Sequence, residues 1–578
     1  MPEAARWPAM TIAQANQVMT APGALLETEE SLIGGVTFKT FKNQLPTYRA
    51  MVEHARGFGA RTFLVYEDER VSYEAFYRAS AAIARELLAR GVVKGDRVAL
   101  IMRNLPEWVA CFYGGLAIGV IVTPLNAWWT GQELEYGLRD SGAKIALMDA
   151  ERYARLADHL PTLPDLKCVY VSRAEADLAP GVTALETVIG APPAWGDLPD
   201  QRLPEAEIAT DDPATLLYTS GTTGAPKGAL GTHRAGMTNV FTALAVGART
   251  FLRRGEAPPA PDPSVQRTTL VSVPFFHVTG SIAVLNPHVY NGAKMVMMHR
   301  WDAVRAFQLI ERERVNGAGG VPTIAWQLIE HPERANYDLS SLETVSYGGA
   351  PSAPELASRI RQMFPSAQPG NGWGMTETTG TVTSHTAEDY VNRPQSCGAP
   401  SPVAELKVVD PADGVTLLPT GTVGELWAKG PMVSCGYWNK PEASAATFVD
   451  GWVRTGDLAR LDEEGFCFIV DRAKDMLIRG GENIYCVEVE SALYAHPAIM
   501  DAAVVGVPHR TLGEEPAAVV TLKPGAVATE DELRAVVAAR LAAFKVPVAV
   551  KFWPETLPRN ANGKILKSEL KKLFTPAG

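Results

Sequence analysis

The sequence predicts an α/β protein in which layered α/β subdomains and a β-rich subdomain form a large N-terminal domain, followed by a small α+β domain. Three observations support this fold class. The chain has 578 residues, which exceeds what one hydrophobic core usually supports. Helical patterns alternate with short Val/Ile/Leu-rich runs between about residues 60 and 350. A new compact series of strands and helices begins after about residue 470.

The first region contains both kinds of element in turn. The segment "YEAFYRASAAIARELLARG" has helical spacing, whereas "RVALIM", "KIALMD" and "CVYVS" are typical of buried strands in largely parallel sheets. The stretch "VACFYGGLAIGVIVTPL" (109–125) is apolar throughout but contains three glycines and falls short of the length of about 20 residues that a membrane span needs. We interpret it as a helix, a turn and a strand of the core, and we expect no integral membrane association.

The second region, from about residue 395 to 470, has short strand patterns separated by Gly, Pro and Asp turns, which predicts the β-rich subdomain. The change of pattern near Asp471 divides the chain into a large domain, 1–471, and a small domain, 472–578. The small domain includes the helical pattern "DELRAVVAARLAAF" and the Lys-rich "NGKILKSELKKLF".

Composition excludes several function classes. The formal net charge of −10 disfavours nucleic acid or an anionic membrane as the main partner. Six cysteines without a C-x-x-C pair argue against a zinc site and a disulfide framework. The N-terminus lacks the apolar stretch of a signal peptide, so we expect a cytoplasmic protein. A homodimer is compatible with the sequence.

The segment "YTSGTTGAPKG" (218–228) follows the strand pattern "ATLLY" and is rich in Gly, Ser and Thr. Small residues with accessible N–H groups and hydroxyls are suited to bind phosphate oxygens. Pro226 and Gly228 break the Walker A pattern, so an ordinary P-loop NTPase is excluded. By itself the segment is also compatible with a flexible surface loop.

Three further segments combine residue types that suit a nucleotide. In "GWVRTGDL", Asp457 lies in a predicted Thr-Gly-Asp turn, where its carboxylate suits vicinal ribose hydroxyls or caps the turn. In "GNGWGMTET", Trp373, Thr376 and Glu377 suit a purine, a phosphate and Mg²⁺, although a tight turn with a packed Trp fits as well. Lys564 in "RNANGKILK" is by itself an ordinary surface lysine.

Together these segments resemble the adenylate-forming superfamily, within it most closely the fatty-acyl and aryl-CoA synthetases. The resemblance covers most of the chain in order, through "YTSGTTGAPKG", "PFFHVTG", "SYGGAP", "GWGMTET", "GYWNKPEASAATF", "GWVRTGDL", "DRAKDMLIRGGENIY" and "PRNANGKILK". It implies an AMP-forming acid–thiol ligase that uses ATP, Mg²⁺ and coenzyme A. An acyl-adenylate forms with release of pyrophosphate, and the CoA thiol then displaces AMP.

The resemblance also implies roles for individual residues. Lys564 would bridge the incoming carboxylate and the α-phosphate, Thr376 would meet the α-phosphate, Glu377 and Thr222 would serve the metal, and His277 would lie beside the acyl group. The implied ATP- and AMP-binding residues are Thr219, Ser220, Gly221, Thr222, Thr223, Gly224, Lys227, Gly349, Ala350, Pro351, Trp373, Asp457 and Arg472. The implied acyl pocket consists of Val278, Thr279, Ser281, Val321, Thr323, Trp326, Gly348 and Gly349.

For the small domain, the resemblance implies CoA contacts at Arg479, Gly480, Gly481 and Lys545. It places a hinge at Lys474, about which a mobile small domain rotates between the two half-reactions. Cys486 stands where the family motif is expected to have Pro, which suggests sensitivity of the second step to thiol reagents.

The substrate is expected to be a hydrophobic acid, either a medium- or long-chain fatty acid or an aryl-alkanoic acid. Val278 occupies the position at which amino-acid-activating domains carry a carboxylate, which disfavours an amino acid. Two alternatives stay open: an adenylating enzyme with another acceptor (an amine, a carrier-protein thiol, or oxygen in a luciferase-like oxidation), and a non-catalytic nucleotide-binding protein. A serine hydrolase is disfavoured because the G-x-S-x-G pattern is absent from the sequence.

Overall fold

The structure of the protein is a computed structural model that describes residues 7–175, 177–219, 225–260, 262–349, 355–480, 482–523, 525–559 and 565–574. The strands are β1 Thr28–Ile33, β2 Val36–Phe41, β3 Thr62–Tyr66, β4 Glu69–Ser72, β5 Arg97–Ile101, β6 Ile121–Pro124, β7 Ile145–Asp149, β8 Cys168–Ser172, β9 Val182–Ala184, β10 Pro213–Tyr218, β11 Gly228–Thr232, β12 Thr268–Val271, β13 Lys294–Met297, β14 Gly317–Gly320, β15 Thr344–Gly348, β16 Gln368–Met375, β17 Gly380–Thr386, β18 Ala399–Pro400, β19 Glu405–Val409, β20 Gly424–Lys429, β21 Phe448–Val449, β22 Trp452–Leu461, β23 Cys467–Arg472, β24 Leu477–Arg479, β25 Glu482–Ile484, β26 Ile499–His509, β27 Gly513–Leu522 and β28 Val550–Phe552.

The helices lie mainly between these strands, as the alternating pattern predicted. They are α1 Ile12–Met19, α2 Tyr48–Arg56, α3 Tyr73–Ala89, α4 Pro106–Leu116, α5 Gly131–Ser141, α6 Ala150–Leu156, α7 Glu186–Ile189, α8 His233–Arg253, α9 Asn286–Tyr290, α10 Ala303–Glu313, α11 Pro322–Glu330, α12 Glu355–Met363, α13 Ala387–Asn392, α14 Pro441–Thr447, α15 Cys486–Tyr494, α16 Glu530–Ala538 and α17 Lys567–Lys571. Local signals fix several of their starts. The Ser72 hydroxyl, for example, accepts the Ala75 N–H at the start of α3, and Thr130 and Glu133 form a capping box on α5.

Two mostly parallel sheets form the body of the large domain. One has the strand order β11-β10-β6-β5-β7-β8-β9, and the other has the order β18-β17-β16-β15-β14-β12-β13-β3-β4. Antiparallel pairing is confined to β10/β11 in the first sheet and to β3/β4 and β16/β17/β18 in the second. The predicted α/β fold class with largely parallel sheets is therefore confirmed.

The apolar stretch 109–125 behaves as interpreted from the sequence. It forms most of α4, a turn and β6, and α4 is buried along its whole length. The Cβ that Ala would add at Gly114 lies 2.7 Å from the Ser80 carbonyl oxygen, so only Gly permits this close packing of α4 on α3. Among the helices of the described residues, none combines the length and hydropathy that a membrane crossing requires.

The β-rich region forms its own antiparallel sheet, with β19, β20, β22 and β21 in order and β23 paired with β22. The chain then passes through residues 473–476 into a separate sheet, in which β24, β25, β26, β27 and β28 pack against α15 and α16. The predicted boundary near Asp471 thus falls where the chain changes from one sheet to the next. The exact limits of the two domains stay a prediction.

Candidate active site

The predicted large-domain residues after β12, β14, β15 and β16 meet because these parallel strands are neighbours in the sheet. Parallel neighbours have their carboxyl ends at one edge, which is where open α/β sheets usually bind ligands. The four strands are followed by segments that contain His277, Val321, Gly349 and Glu377 respectively. Residues separated by about a hundred positions in the sequence therefore share one edge of the sheet.

The two ends of the predicted phosphate loop are joined by a hairpin. β10 and β11 are antiparallel, and the Thr219 N–H donates to the carbonyl oxygen of Lys227 at 2.8 Å. Residues 220–224, which include Ser220, Gly221, Thr222, Thr223 and Gly224, lie outside the described part of the chain. The ammonium of Lys227 lies 5.0 Å from the centre of the Tyr437 ring, at the base of this loop.

Glu377 lies in a short 3-10 turn, Thr376–Thr378, directly after β16. Its side chain is mostly buried, and its Oε1 accepts a hydrogen bond of 2.7 Å from the Tyr437 hydroxyl. The Ser434 N–H donates to the Glu377 carbonyl oxygen at 2.9 Å, and the Ser434 hydroxyl donates to the Thr376 carbonyl oxygen at 3.3 Å. The turn that carries the predicted metal-binding carboxylate is therefore fixed by residues from the β-rich part of the chain.

Trp373, Asp457 and Arg472 form one contact set. The indole Nε1–H of Trp373 donates to Asp457 Oδ2 at 2.9 Å, and Arg472 Nε lies 3.0 Å from Asp457 Oδ1. The Asp457 carboxylate is buried, with 4% of the residue exposed. Each carboxylate oxygen has two lone pairs, so both can accept one further hydrogen bond from a ligand hydroxyl.

Two expectations about the local structure of this set are corrected. Asp457 does not lie in a turn but inside β22, which continues through Gly456 because that glycine adopts a φ of 67° and the pairing with neighbouring strands shifts register nearby. The alternative of a tight turn around Trp373 is wrong too, since Trp373 lies in β16 and pairs with Thr383 of β17. With β22 bulged in this way, the Asp457 side chain reaches the Trp373 side chain of β16.

The segment after β12 contains the first half of the predicted acyl pocket. His277, Val278 and Thr279 are partly buried, and the His277 ring packs 4.6 Å from the Phe276 ring centre. A π-helix spans Thr279–Leu285, a rare form that is frequent at functional sites. Ser281 is fully buried, and its hydroxyl donates to the His277 carbonyl oxygen at 2.9 Å, so this hydroxyl is bonded within its own segment.

The second half of the predicted pocket lies after β14 and β15. Val321 precedes α11, and Thr323 and Trp326 lie on that helix, all three partly buried. Gly348 is partly buried and Gly349 exposed, with a φ of 76° and open space where a Cβ would stand. Such a glycine allows a ligand to approach the backbone closely. The Lys523 ammonium of the small domain lies 5.9 Å from the Trp326 ring centre and 3.3 Å from Glu330 Oε1.

The predicted CoA-binding cations are both paired within the small domain. Arg479 Nη2 lies 2.8 Å from Glu515 Oε1, and Lys545 Nζ lies 2.6 Å from Glu488 Oε1. Gly480 follows β24 with a φ of 59°, which suits the two-residue hairpin turn between β24 and β25. The other turn residue, Gly481, lies outside the described residues.

The predicted hinge residue Lys474 lies in the turn between β23 and β24. The N–H groups of Asp475 and Met476 donate to the Arg472 carbonyl oxygen, and burial together with the nearby Arg472 charge lowers the pKa of Lys474. Cys486 is buried in the small domain, burial raises the pKa of its thiol, and the thiol donates to the Asp475 carbonyl oxygen at 3.1 Å. A buried, protonated thiol reacts slowly, so this placement argues against the expected sensitivity to thiol reagents, which stays a prediction.

Three further predicted residues, Ala350, Pro351 and Lys564, lie outside the described residues. The sequence analysis also assigned no role to Tyr437, although it stands in the quoted segment "GYWNKPEASAATF". The position of Tyr437 within a quoted motif was the signal that could have pointed to a role, whereas its contact with Glu377 became apparent only from the fold. The carboxylates Glu515 and Glu488, which pair with the predicted CoA cations, carried no signal in the sequence.

The described side chains fit Mg²⁺ only together with phosphate groups. No cluster of three or more Asp, Glu, His or Cys side chains that would hold a metal ion occurs within the described ranges. Mg²⁺ is commonly bound by one or two carboxylates plus substrate phosphates. Glu377 lies in the turn that contacts β11, the strand after the predicted phosphate loop, and fits that arrangement. Of its two carboxylate oxygens, Oε1 accepts the hydrogen bond that the described residues supply.

The fold and the residues gathered at this sheet edge fit an adenylate-forming enzyme, in which the predicted nucleotide-binding residues would lie at the edge of a parallel sheet. The sequence matches the family described as AMP-binding enzyme over residues 51–438 and the AMP-binding enzyme C-terminal domain over residues 488–564. The chain belongs to this family of AMP-binding enzymes. The predicted superfamily and the class of AMP-forming acid–thiol ligase with ATP, Mg²⁺ and CoA are thereby confirmed.

Known proteins similar to the chain include ligases for both aliphatic and aromatic acids. It is 34% identical over 545 residues to a long-chain-fatty-acid–CoA ligase of Bacillus subtilis (strain 168), a match that covers 90% of this chain and 93% of that protein. It is 34% identical over 524 residues to a feruloyl-CoA synthase of Amycolatopsis sp, covering 90% and 98%. The crystal structure of the anthranilate CoA ligase AuaEII with anthranoyl-AMP superposes with a TM-score of 0.79 at 26% identity, covering 91% and 97%.

Proposed function

We propose that the protein is an ATP-dependent ligase that joins a hydrophobic carboxylic acid to the thiol of coenzyme A and releases AMP and pyrophosphate. The observation that carries this proposal is the contact set of Trp373, Asp457 and Arg472. An aromatic face suits a purine, and a carboxylate with remaining lone pairs suits the vicinal hydroxyls of a ribose. Glu377, in the 3-10 turn that follows the Trp373 strand, would serve the metal that accompanies the phosphates.

The first half-reaction forms an acyl-adenylate. A carboxylate oxygen of the acid would attack the α-phosphorus of ATP, and the bond from that phosphorus to the bridging oxygen of pyrophosphate would break. Lys564 would hold the negative charge that builds up between the two reactants. Mg²⁺, when bound, supplies charge neutralisation on the leaving pyrophosphate.

The second half-reaction forms the thioester. The CoA sulfur would attack the acyl carbon, AMP would leave with the electron pair of the broken C–O bond, and the thiol proton would pass to solvent. Residues 473–476 link two separate sheets, so a few backbone rotations near Lys474 would reorient the small domain between the steps. Lys564 would serve the first step, and the segment around Arg479, Gly480 and Gly481 would serve the second.

The predicted pocket residues and the relatives support a proposal for the substrate class. The partly buried residues Val278, Thr279, Val321 and Trp326 would supply a mainly apolar lining with a small hydroxyl, and Val278 offers no carboxylate for an α-ammonium group. Similar proteins act on a long-chain fatty acid and on ferulate. We therefore propose a medium- or long-chain fatty acid or an aryl-alkanoic acid. The homodimer and the cytoplasmic location stay predictions.

The decisive experiment is a substrate panel. Purified protein with ATP and Mg²⁺ is given alkanoic, aryl-alkanoic and cinnamic acids, and AMP release is measured with and without CoA. We expect AMP release that depends on both CoA and one part of the panel. Accumulation of adenylate that CoA does not change would contradict the ligase and direct attention to another acceptor.

The variant Lys564→Ala separates the two half-reactions. We expect adenylation, measured as exchange of labelled pyrophosphate into ATP, to fall by about 10²- to 10³-fold, as for loss of a preorganised donor to a developing charge. Thioester formation from chemically prepared acyl-adenylate is expected to continue. Equal loss in both assays, in a variant whose thermal unfolding matches that of the wild-type protein, would contradict the assigned role.

A further inference from the structure

Tyr437 contacts both charged groups that flank the predicted triphosphate site. Its hydroxyl donates to Glu377 Oε1 at 2.7 Å, and the face of its ring lies 5.0 Å from the ammonium of Lys227. One side chain thus holds a carboxylate through its polar end and an ammonium through its ring. Glu377 and Lys227 lie 150 positions apart in the sequence, so Tyr437 is the side chain that links them in the fold.

The position of Tyr437 is itself fixed by its neighbours. Its N–H donates to the Ser444 hydroxyl at 2.8 Å, and that hydroxyl donates back to the Tyr437 carbonyl oxygen at 3.2 Å. The Phe448 ring packs edge-on at 5.4 Å between ring centres. A Tyr hydroxyl is protonated at neutral pH and can therefore donate to the Glu377 carboxylate.

We propose that Tyr437 is a positioning residue that orients Glu377 toward Mg²⁺ and holds Lys227 in place for the phosphates of ATP. The proposal rests on the proposed function, in which Glu377 serves the metal and Lys227 the phosphates. The hydroxyl occupies one lone pair of Oε1 and leaves Oε2 and the remaining lone pair of Oε1 for the cation. A hydrogen bond to an ionised carboxylate is strong and fixes its orientation.

The ring has a separate task. An ammonium over an aromatic face is attracted by the ring without giving up its hydrogen-bond donors, so Lys227 keeps its three N–H groups for phosphate oxygens. Removing the hydroxyl therefore affects the metal, and removing the ring affects the phosphates as well.

Two variants distinguish the role of the hydroxyl from the role of the ring. For each variant, the affinity for ATP is measured by calorimetry without acid substrate, once in EDTA and once with saturating Mg²⁺. For Tyr437→Phe we expect the tightening of ATP binding by Mg²⁺ to shrink by about 10-fold, the effect of losing a hydrogen bond to a charged group, with affinity in EDTA nearly unchanged. For Tyr437→Leu we expect a further loss of about 3-fold that is present in EDTA too, from the lost cation–π contact.

Tyr136 offers a matched control. Its hydroxyl donates to the Pro226 carbonyl oxygen at 3.0 Å, beside the same loop, and the nearby carboxylate of Asp140 is not assigned to the metal. Tyr136→Phe is expected to change ATP affinity equally in EDTA and in Mg²⁺. If Tyr437→Phe behaves in that same way, Tyr437 only supports packing and the inference is overturned. If wild-type protein binds ATP with no contribution from Mg²⁺, the assignment of Glu377 and with it the inference fall, whereas failure of CoA transfer alone would overturn only the proposed function.

Discussion

The predicted nucleotide-binding residues of the candidate site and its predicted CoA-binding residues differ in the partners of their charged groups. In the large domain, Asp457 is bonded by Trp373, which lies 84 positions away, and by Arg472, and Glu377 is bonded by Tyr437, 60 positions away. In the small domain, the predicted CoA cations Arg479 and Lys545 are each paired with a carboxylate of their own domain.

On the nucleotide side the partners orient a charged group that stays available to a ligand, whereas on the CoA side the partners neutralise the charged group. The donors around Asp457 and Glu377 fix each carboxylate and still leave lone pairs for a ribose hydroxyl or a metal ion. The carboxylates next to Arg479 and Lys545 instead occupy the cations that a phosphate of CoA would need. We therefore expect the nucleotide side to be preorganised, whereas CoA binding would have to exchange one anionic partner for another.

Substitution of Asp457 tests the preorganised side with the largest expected effect. In Asp457→Asn the side-chain shape is kept, but the charge that holds Arg472 and accepts ribose hydroxyls is lost. We expect kcat/KM for ATP to fall by about 10- to 100-fold, the range for hydrogen bonds to a charged group. Steady-state kinetics measure this, with KM for CoA as the internal control. An unchanged KM for ATP would contradict the ribose-binding role.

Trp373→Phe keeps the aromatic face and removes only the N–H donor to Asp457. We expect ATP affinity to fall by about 3- to 10-fold because the carboxylate loses one of the two groups that orient it. The loss should be smaller for 2′,3′-dideoxy-ATP, which lacks the hydroxyls that Asp457 would bind. The two nucleotides are compared by their dissociation constants.

Trp427 provides the control for this prediction. Its Nε1–H donates to Glu425 Oε2 at 3.1 Å, also between a Trp and a carboxylate but within β20. Trp427→Phe is expected to leave the affinity for both nucleotides unchanged. An equal loss for ATP and the dideoxy analogue in Trp373→Phe would mean that the indole acts through the purine alone.

On the CoA side, Glu515→Gln is expected to improve binding rather than impair it. The substitution frees Arg479 from an ion pair in which 26% of the Arg479 side chain and 16% of the Glu515 side chain are exposed. Since such pairs are worth at most about 1 kcal/mol, we expect KM for CoA to fall by about 2- to 5-fold. KM for ATP serves as the control. A rise in KM for CoA would show that Glu515 supports Arg479 instead of competing for it.

The sequence predicted the fold class and the residue types of the nucleotide site because both depend on local patterns. The alternation of "RVALIM" and "KIALMD" with helical segments defined β5, β7 and the parallel sheet. Asp457 was recognised through its motif, yet its position in a bulged strand depends on pairing with β20 and β23, which local pattern does not contain. Glu515 and Glu488 were missed because ion pairing between elements is set by packing, not by spacing along the chain.

Asp471 lies at the boundary between the two regions and gives the smallest expected effect. Asp471 is the penultimate residue of β23, and 2% of it is exposed. Its carboxylate accepts hydrogen bonds from the N–H of Arg472 at 2.8 Å and from the N–H of Cys486 at the start of α15. Burial raises its pKa from 3.8 to about 6, partly opposed by the Lys567 charge, while the Glu490 carboxylate adds to the rise. Lys567 itself is paired with Glu490 at 2.7 Å.

The sign of the pH effect follows from this raised pKa. Between about pH 4 and 6 the folded protein holds a proton on Asp471 that the unfolded chain has lost, so the contribution of Asp471 to stability falls as pH rises through that window. Relative to Asp471→Asn, wild-type protein should therefore gain up to about 1 kcal/mol of unfolding free energy when the pH is lowered from 7 to 5. Denaturant titrations of both proteins at the two pH values measure the difference. A constant difference would mean that the boundary carboxylate titrates normally, and the contact between β23 and α15 would then link the two regions without responding to pH.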